Sequence, residues 1–339
     1  MATTGTGEPA LGATSRSLKA SKPLGIALAV VAGLAVSVQG RINGQLGAEL
    51  GDSMLAAVIS FFGGSIILLA LLPFLPKMRK GLRLVRERAG KSALRRWHLL
   101  AGVGGATLVT GQAITVPVIG VALFTVGVVA GQTVSGLLVD KAGIGPSGRQ
   151  SLTVTRVIGA LLTLAAVGGS LFGGLGGGGS RYWLLVLPVV GGVLIAIQQA
   201  FNGQVKAAAE NAMTATLINF GAGLAALVLG WLVSLALRGG PKAFPPDPLL
   251  YAGGPVGIVY IGLTALVVAW IGVLLVSLAV VAGQLIGAVL LDVVVPAHGG
   301  HLATATLIGS AIALVAVAIA AVPARSAMRD NQARDGESS

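Results

Sequence analysis

The sequence contains no cysteine, which excludes disulfides and thiolate metal sites. Aromatic residues make up 4% of it, too few to build base-stacking platforms, so its net charge of +12 does not point to nucleic acid. Charged residues make up only 10%, while 55% are apolar. A soluble domain of this length needs a charged exterior and has no way to hide so much apolar surface. A bilayer removes that requirement. The few charges are also clumped between long uncharged stretches, and the excess of Lys and Arg lies next to apolar runs, where it sets membrane orientation.

A spanning helix needs roughly 20 mostly apolar residues. Hydropathy predicts helices over residues 24–46, 53–75, 98–117, 119–139 and 151–172, then 183–204, 212–236, 249–268, 270–292 and 302–322. Pro117 supports dividing 98–117 from 119–139. The division of 249–268 from 270–292 rests on length and on the match to the first half. A glycine-rich linker at 173–181 separates a first unit, 23–172, from a second, 182–323. Residues 1–22 and 324–339 are polar and small and are expected to be disordered.

The two units repeat each other. Gln39, Asn43, Gly44, Gln45, Phe61 and Gly64 recur 159 residues later as Gln198, Asn202, Gly203, Gln204, Phe220 and Gly223. Val128-Val129-Ala130-Gly131-Gln132 recurs 152 residues on as Val280-Val281-Ala282-Gly283-Gln284, and Asp140 recurs as Asp292. Chance similarity between apolar runs shares Leu, Val and Ala, not Gln, Asn and Asp in register. Five helices per copy is odd, so the second copy enters the membrane from the opposite side, an architecture common in secondary transporters.

Charge tests that expectation independently. The segment 77–96 carries Lys77, Arg79, Lys80, Arg83, Arg86, Arg88, Lys91, Arg95 and Arg96, which makes it cytoplasmic. Ten helices then place both termini in the cytoplasm. Of the 23 Lys and Arg residues, only Arg41, Arg181, Arg238 and Lys242 fall outside. The same basic segment would also suit an amphipathic surface helix.

The stretch Gln39-Gly40-Arg41-Ile42-Asn43-Gly44-Gln45-Leu46-Gly47, followed by Ala56, Ser60, Phe61 and Gly64, resembles the YdcZ-type inner-membrane exporters of the drug/metabolite transporter superfamily. Many members are a single five-helix unit. This chain looks like a fused form, with the resemblance covering 24–172 and 183–322. The second copy departs from the pattern where Gln199 replaces Gly40 and Asn219 replaces Ser60. The resemblance implies an all-α membrane protein of ten transmembrane helices, arranged as two inverted five-helix repeats (DMT/EamA-like), in a bacterial inner membrane. It implies transport, in the export direction. It brings no substrate and no catalytic residue.

Polar side chains within apolar spans are costly and face a cavity or another helix. Gln39, Asn43, Gln132, Gln198, Asn202 and Gln284 form the matched set. Gln39 and Asn43 share a helix face, as do Gln198 and Asn202. These amides either contact a polar or cationic solute or hydrogen-bond between helices, and the repeat does not decide, since either role is inherited. Gln112, Asn219, Tyr260 and Trp270 are further cavity candidates. Asp140, Asp292 and Arg41 are gating or ion-coupling candidates; ending a helix beside headgroups is the favoured reading of the two aspartates, and Arg41 can equally snorkel or meet an anionic group at the cavity mouth. Gly40/Gly44, Gly127/Gly131 and Gly283/Gly287 are spaced for close helix packing. Trp97 and Trp183 suit interfacial anchoring. His98, His298 and His301 lack metal-ligand spacing, so no metal and no cofactor is expected.

The expectation is a secondary transporter, not an enzyme, with the bilayer and a small solute as partners. A coupling ion such as a proton, and a second copy of the chain, stay open. The rivals are a permease subunit of an ATP-driven importer, with 77–96 as coupling segment, and a membrane enzyme on lipid-linked substrates. The latter would need clustered acids and histidines that the sequence does not show.

Overall fold

The computed structural model describes residues 22–91, 94–144 and 183–294, with scattered helical residues within 154–165 and 307–315. The expected spans 151–172 and 302–322 therefore lie largely outside the described residues. The linker, most of the N-terminal segment and the C-terminal segment, with Arg181, His298 and His301, lie outside them entirely.

The architecture is helical, as lipid demands of a chain whose backbone polar groups must be satisfied internally. Helix α1 is Lys22–Leu50, α2 Ser53–Leu71, α3 Pro76–Arg88, α4 Gly102–Ala142, α5 Val186–Ala209, α6 Ala212–Arg238 and α7 Gly253–Val294. Among the described residues, five helical stretches are long and apolar enough to cross a membrane: Pro23–Leu50, Ser53–Phe74, Arg96–Val139, Trp183–Ala209 and Ala212–Leu237. Gly253–Thr264 and Leu278–Val294 are shorter apolar helices.

Helix α4 is two helices. Gly120 adopts φ 78°, ψ 167° three residues after Pro117, a conformation open to glycine and closed to residues with a side chain. The chain reverses there. Leu108 and Val128 would be about 30 Å apart on a straight helix, yet they lie against the neighbouring Gly191 and Gly192. Helix α7 folds back by the same test. Gly257 and Gly287 would be about 45 Å apart on a rod. Gly257 faces the Gln39 side chain, and Gly287 lies against Ser37, two residues away on α1. The expected division of each long apolar stretch into two thus holds; the first has a proline and a positive φ at its bend, and the second has no proline there.

The corner between α1 and α2 recurs between α5 and α6. Gly51 (φ 64°) ends α1, and Asp52 caps α2 by accepting from Met54 N at 3.1 Å and Leu55 N at 2.9 Å. At the equivalent corner Glu210 takes the left-handed conformation (φ 55°), and Asn211 caps α6 by accepting from Thr214 N at 2.9 Å.

Packing between the units is reciprocal. A Cβ built on Gly33 would strike the Val280 carbonyl, and one on Gly283 would strike that of Val30. In the equivalent crossing, Gly192 meets the carbonyl of Val128 and Gly131 that of Val189. Absence of side chains is what lets these backbones approach. Helices α2 and α6 pack on each other directly. Gly64 meets the ring of Phe220, Gly223 the ring of Phe61, and the two rings lie 5.1 Å apart. Contacts run from Asp52–Trp231 through Met54–Gly230 to Phe61–Gly223, so numbers rise on one helix as they fall on the other. Two equivalent helices in antiparallel, reciprocal contact are related by a two-fold axis perpendicular to both.

Helix α3 is basic on its exposed side and buries Met78, Gly81 and Val85. That buried face sits on the α5–α6 corner. Thr214 Oγ1 donates to Met78 O at 3.0 Å, Arg88 donates to Ala208 O at 2.8 Å, and Glu210 pairs with Lys80 at 3.2 Å and Arg88 at 3.0 Å. Hydrogen bonds from Arg88 and then Lys80 hold the Glu210 carboxyl below its ordinary range.

Candidate functional site

A cavity of about 400 Å³ lies between the two units. Its walls come in equivalent pairs: Gln39 and Gln198, Phe61 and Phe220, Gln132 and Gln284, Gly105 and Gly257. Even the fine contacts are exchanged, for Gln39 faces Gly257 while Gln198 faces Gly105.

Gln39, Gln132, Gln198, Asn202, Asn219 and Gln284 all line the cavity, as do the secondary candidates Gln112 and Tyr260. Asn43 does not. It is fully buried, and its Nδ2 donates to Gln112 Oε1 at 2.9 Å, a bond between α1 and α4. Asp292 and Arg41 also lie away from the lining. Asp292 is buried and accepts from Val121 N at 3.0 Å and Ala122 N at 2.7 Å, capping the helix that restarts after Gly120. Arg41 lies within electrostatic reach of Asp292. The side chains of Asp140 and Trp270 lie outside the described residues. Trp97 and Trp183 are exposed at span ends, where an interfacial role places them.

The chemistry of the walls is mixed. Phe61, Phe124, Phe220 and several valines and isoleucines supply apolar surface. Among the described residues, Gln198 Oε1, Asn219 Oδ1 and Gln284 Oε1 are buried and accept no hydrogen bond within the protein. Each such oxygen costs about 1–3 kcal/mol unless a partner reaches it. Apolar walls with a few convergent polar groups are the usual make-up of a small-molecule site.

Lys206 also lines the cavity, and sequence reasoning missed it as a site residue. The signal was present: Gln198, Asn202 and Lys206 follow one another at four-residue spacing on one face of α5. Phe124, Thr125 and Thr264 were missed as well, and nothing in apolar sequence distinguishes them from packing residues.

The family model for "Putative inner membrane exporter, YdcZ" matches the chain twice, over residues 24–168 and 183–322, consistent with a two-repeat form. No curated protein matches it.

Proposed function

This chain belongs to the YdcZ inner-membrane exporter family, and from that premise we propose that it is a ten-span secondary transporter that moves a small solute by alternating access between two inverted repeats. The reciprocal antiparallel packing of α2 on α6 supports the inversion.

One observation carries the mechanism: equivalent residues have different environments. At one end Asn43 is buried on Gln112, Gly44 lies on Val116 and Gly47 on Ala113, and Ala56 and Ala57 are fully buried. At the other end the equivalents Asn202, Gly203, Lys206, Ala215 and Thr216 line the cavity or its mouth. Helix α1 packs closely on residues 102–119, but α5 has no comparable packing on residues 253–264 among the described residues. The same sequence motif therefore holds a closed and an open arrangement at once. Exchanging the two would close the open end and open the closed one, with the amides at the pivot. The open end lies beside basic α3, so the positive-inside rule turns it to the cytoplasm. Loading from the cytoplasm fits the export direction of the family.

Because the natural chain has no cysteine, single thiols test this directly. Asn202→Cys should react with a membrane-impermeant maleimide applied from the cytoplasmic side, and Asn43→Cys should be protected. A solute that is transported should raise the reactivity of Asn43→Cys from the outer side and lower that of Asn202→Cys. Reactivities that stay fixed across a broad solute panel would overturn alternating access.

A further inference from the structure

Resting on the transporter reading, the structure assigns a substrate class: a small amphipathic carboxylate with an apolar body and at least one N–H or O–H donor, in place of a cation. Three features of the cavity carry this. First, Lys206 is the only side chain among the described lining residues that is charged at neutral pH. No described lining residue is acidic, so an organic cation entering would leave water for walls that offer it no counter-charge. Second, the polar groups form a graded track. Gln198, Asn202 and Lys206 share one face of α5 with about 6 Å between steps, running from half-buried Gln198 and Asn202 to exposed Lys206. The nearby acid that would cancel Lys206, Glu210, is engaged by Lys80 and Arg88. Third, among the described residues, lining amides keep buried carbonyl oxygens with no hydrogen bond in the protein. Asn219 is 6% exposed, lines the cavity and leaves Oδ1 unpartnered, as Gln198 leaves its Oε1. A solute carboxylate at Lys206 would lay its body along the cavity wall formed by the contacting Phe61 and Phe220 side chains, with its donor turned toward these oxygens.

The track belongs to the second copy alone. Lys206 is equivalent to Gly47, which is packed on Ala113. The carboxylate would thus meet its cation only on the cytoplasmic side and lose it when the cavity opens outward, which favours release there.

A matched series isolates the head group: indole-3-acetate, indole-3-acetamide and tryptamine share one apolar body and one ring N–H. Binding to the purified full chain would be read by calorimetry. The acid should bind best, the amide several-fold weaker and the amine not measurably. Lys206→Gln should weaken the acid about tenfold, a single charge-assisted contact's worth, while leaving the amide unchanged. Lys206→Arg should retain the preference. Equal or tighter binding of tryptamine, or an acid preference that survives Lys206→Gln, would overturn the assignment. Asn202→Cys labelling read alongside separates the two levels. If the amine alone alters labelling, the substrate class is wrong and the transporter reading stands. If labelling ignores all three and a wider panel, the transporter reading itself fails.

Discussion

Placing an alanine at Gly33 tests how the two units are held together. The added methyl would meet the Val280 carbonyl oxygen, with Gln284 N at 2.7 Å and Gly283 Cα at 2.8 Å. All three are backbone atoms, so no side chain can swing aside. The helices must separate along the α1–α7 crossing, forfeiting contacts on both sides. Overpacking a well-packed core costs about 1–3 kcal/mol, and a backbone obstacle puts this site at the upper end. For a chain of this length that corresponds to a fall in Tm of about 4 °C. Gly192→Ala should cost a similar amount, because Gly192 meets Val128 O and Gln132 N at the equivalent crossing. Gly221→Ala is the control. Nothing lies within 4 Å of a Cβ there, and alanine favours a helix over glycine by up to about 1 kcal/mol. Its Tm should match or exceed the parent. The assay is thermal unfolding of each purified variant in one detergent. A Gly33→Ala protein that melts with the parent, or a Gly221→Ala protein that falls as far, would refute the packing argument.

Other perturbations give separate readings. Asp292→Ala removes the carboxylate that caps Val121 and Ala122 and should cost about 1–2 kcal/mol in chemical unfolding, with Asp292→Asn losing less. Trp231→Phe removes the indole donor to Asp52 at 2.9 Å and should cost about 1 kcal/mol. The Glu210 carboxyl is held below its ordinary 4.5 by Arg88 and Lys80. Its stabilising contribution is therefore full above that value and lost as pH falls through the depressed one. The Tm difference between the parent and Glu210→Gln should shrink on acidification; a constant difference would contradict the pairing.

Much of this was legible in the sequence because the cause was local or repeated. Span lengths follow from hydropathy, and Pro117 marked the bend that Gly120 completes. The register of Gln39 with Gln198 and of Gln132 with Gln284 anticipated the amide-lined cavity. What was not legible depends on conformation. Asn43 and Asn202 occupy the same motif, yet one ties α1 to α4 and the other lines the cavity. A motif states which groups are available, not which of two states they occupy. Asp292 read as an end-of-helix acid, and its role as a cap for a different helix required Gly120 to be in place beside it. Nothing in the sequence singled out Glu210. Its left-handed backbone stands where the first copy has Gly51, and its carboxylate pairs with two residues of a helix 120 or more residues away in sequence.

The central claim is that the second copy lies upside down relative to the first, and Ala48 and Ala207 test it most directly. They are equivalent positions, both small and exposed, near the ends of α1 and α5. In intact cells, Ala48→Cys should react with an impermeant maleimide at once, and Ala207→Cys only after the membrane is permeabilised. Labelling of both from the same face would contradict the inverted architecture and the transport mechanism built on it.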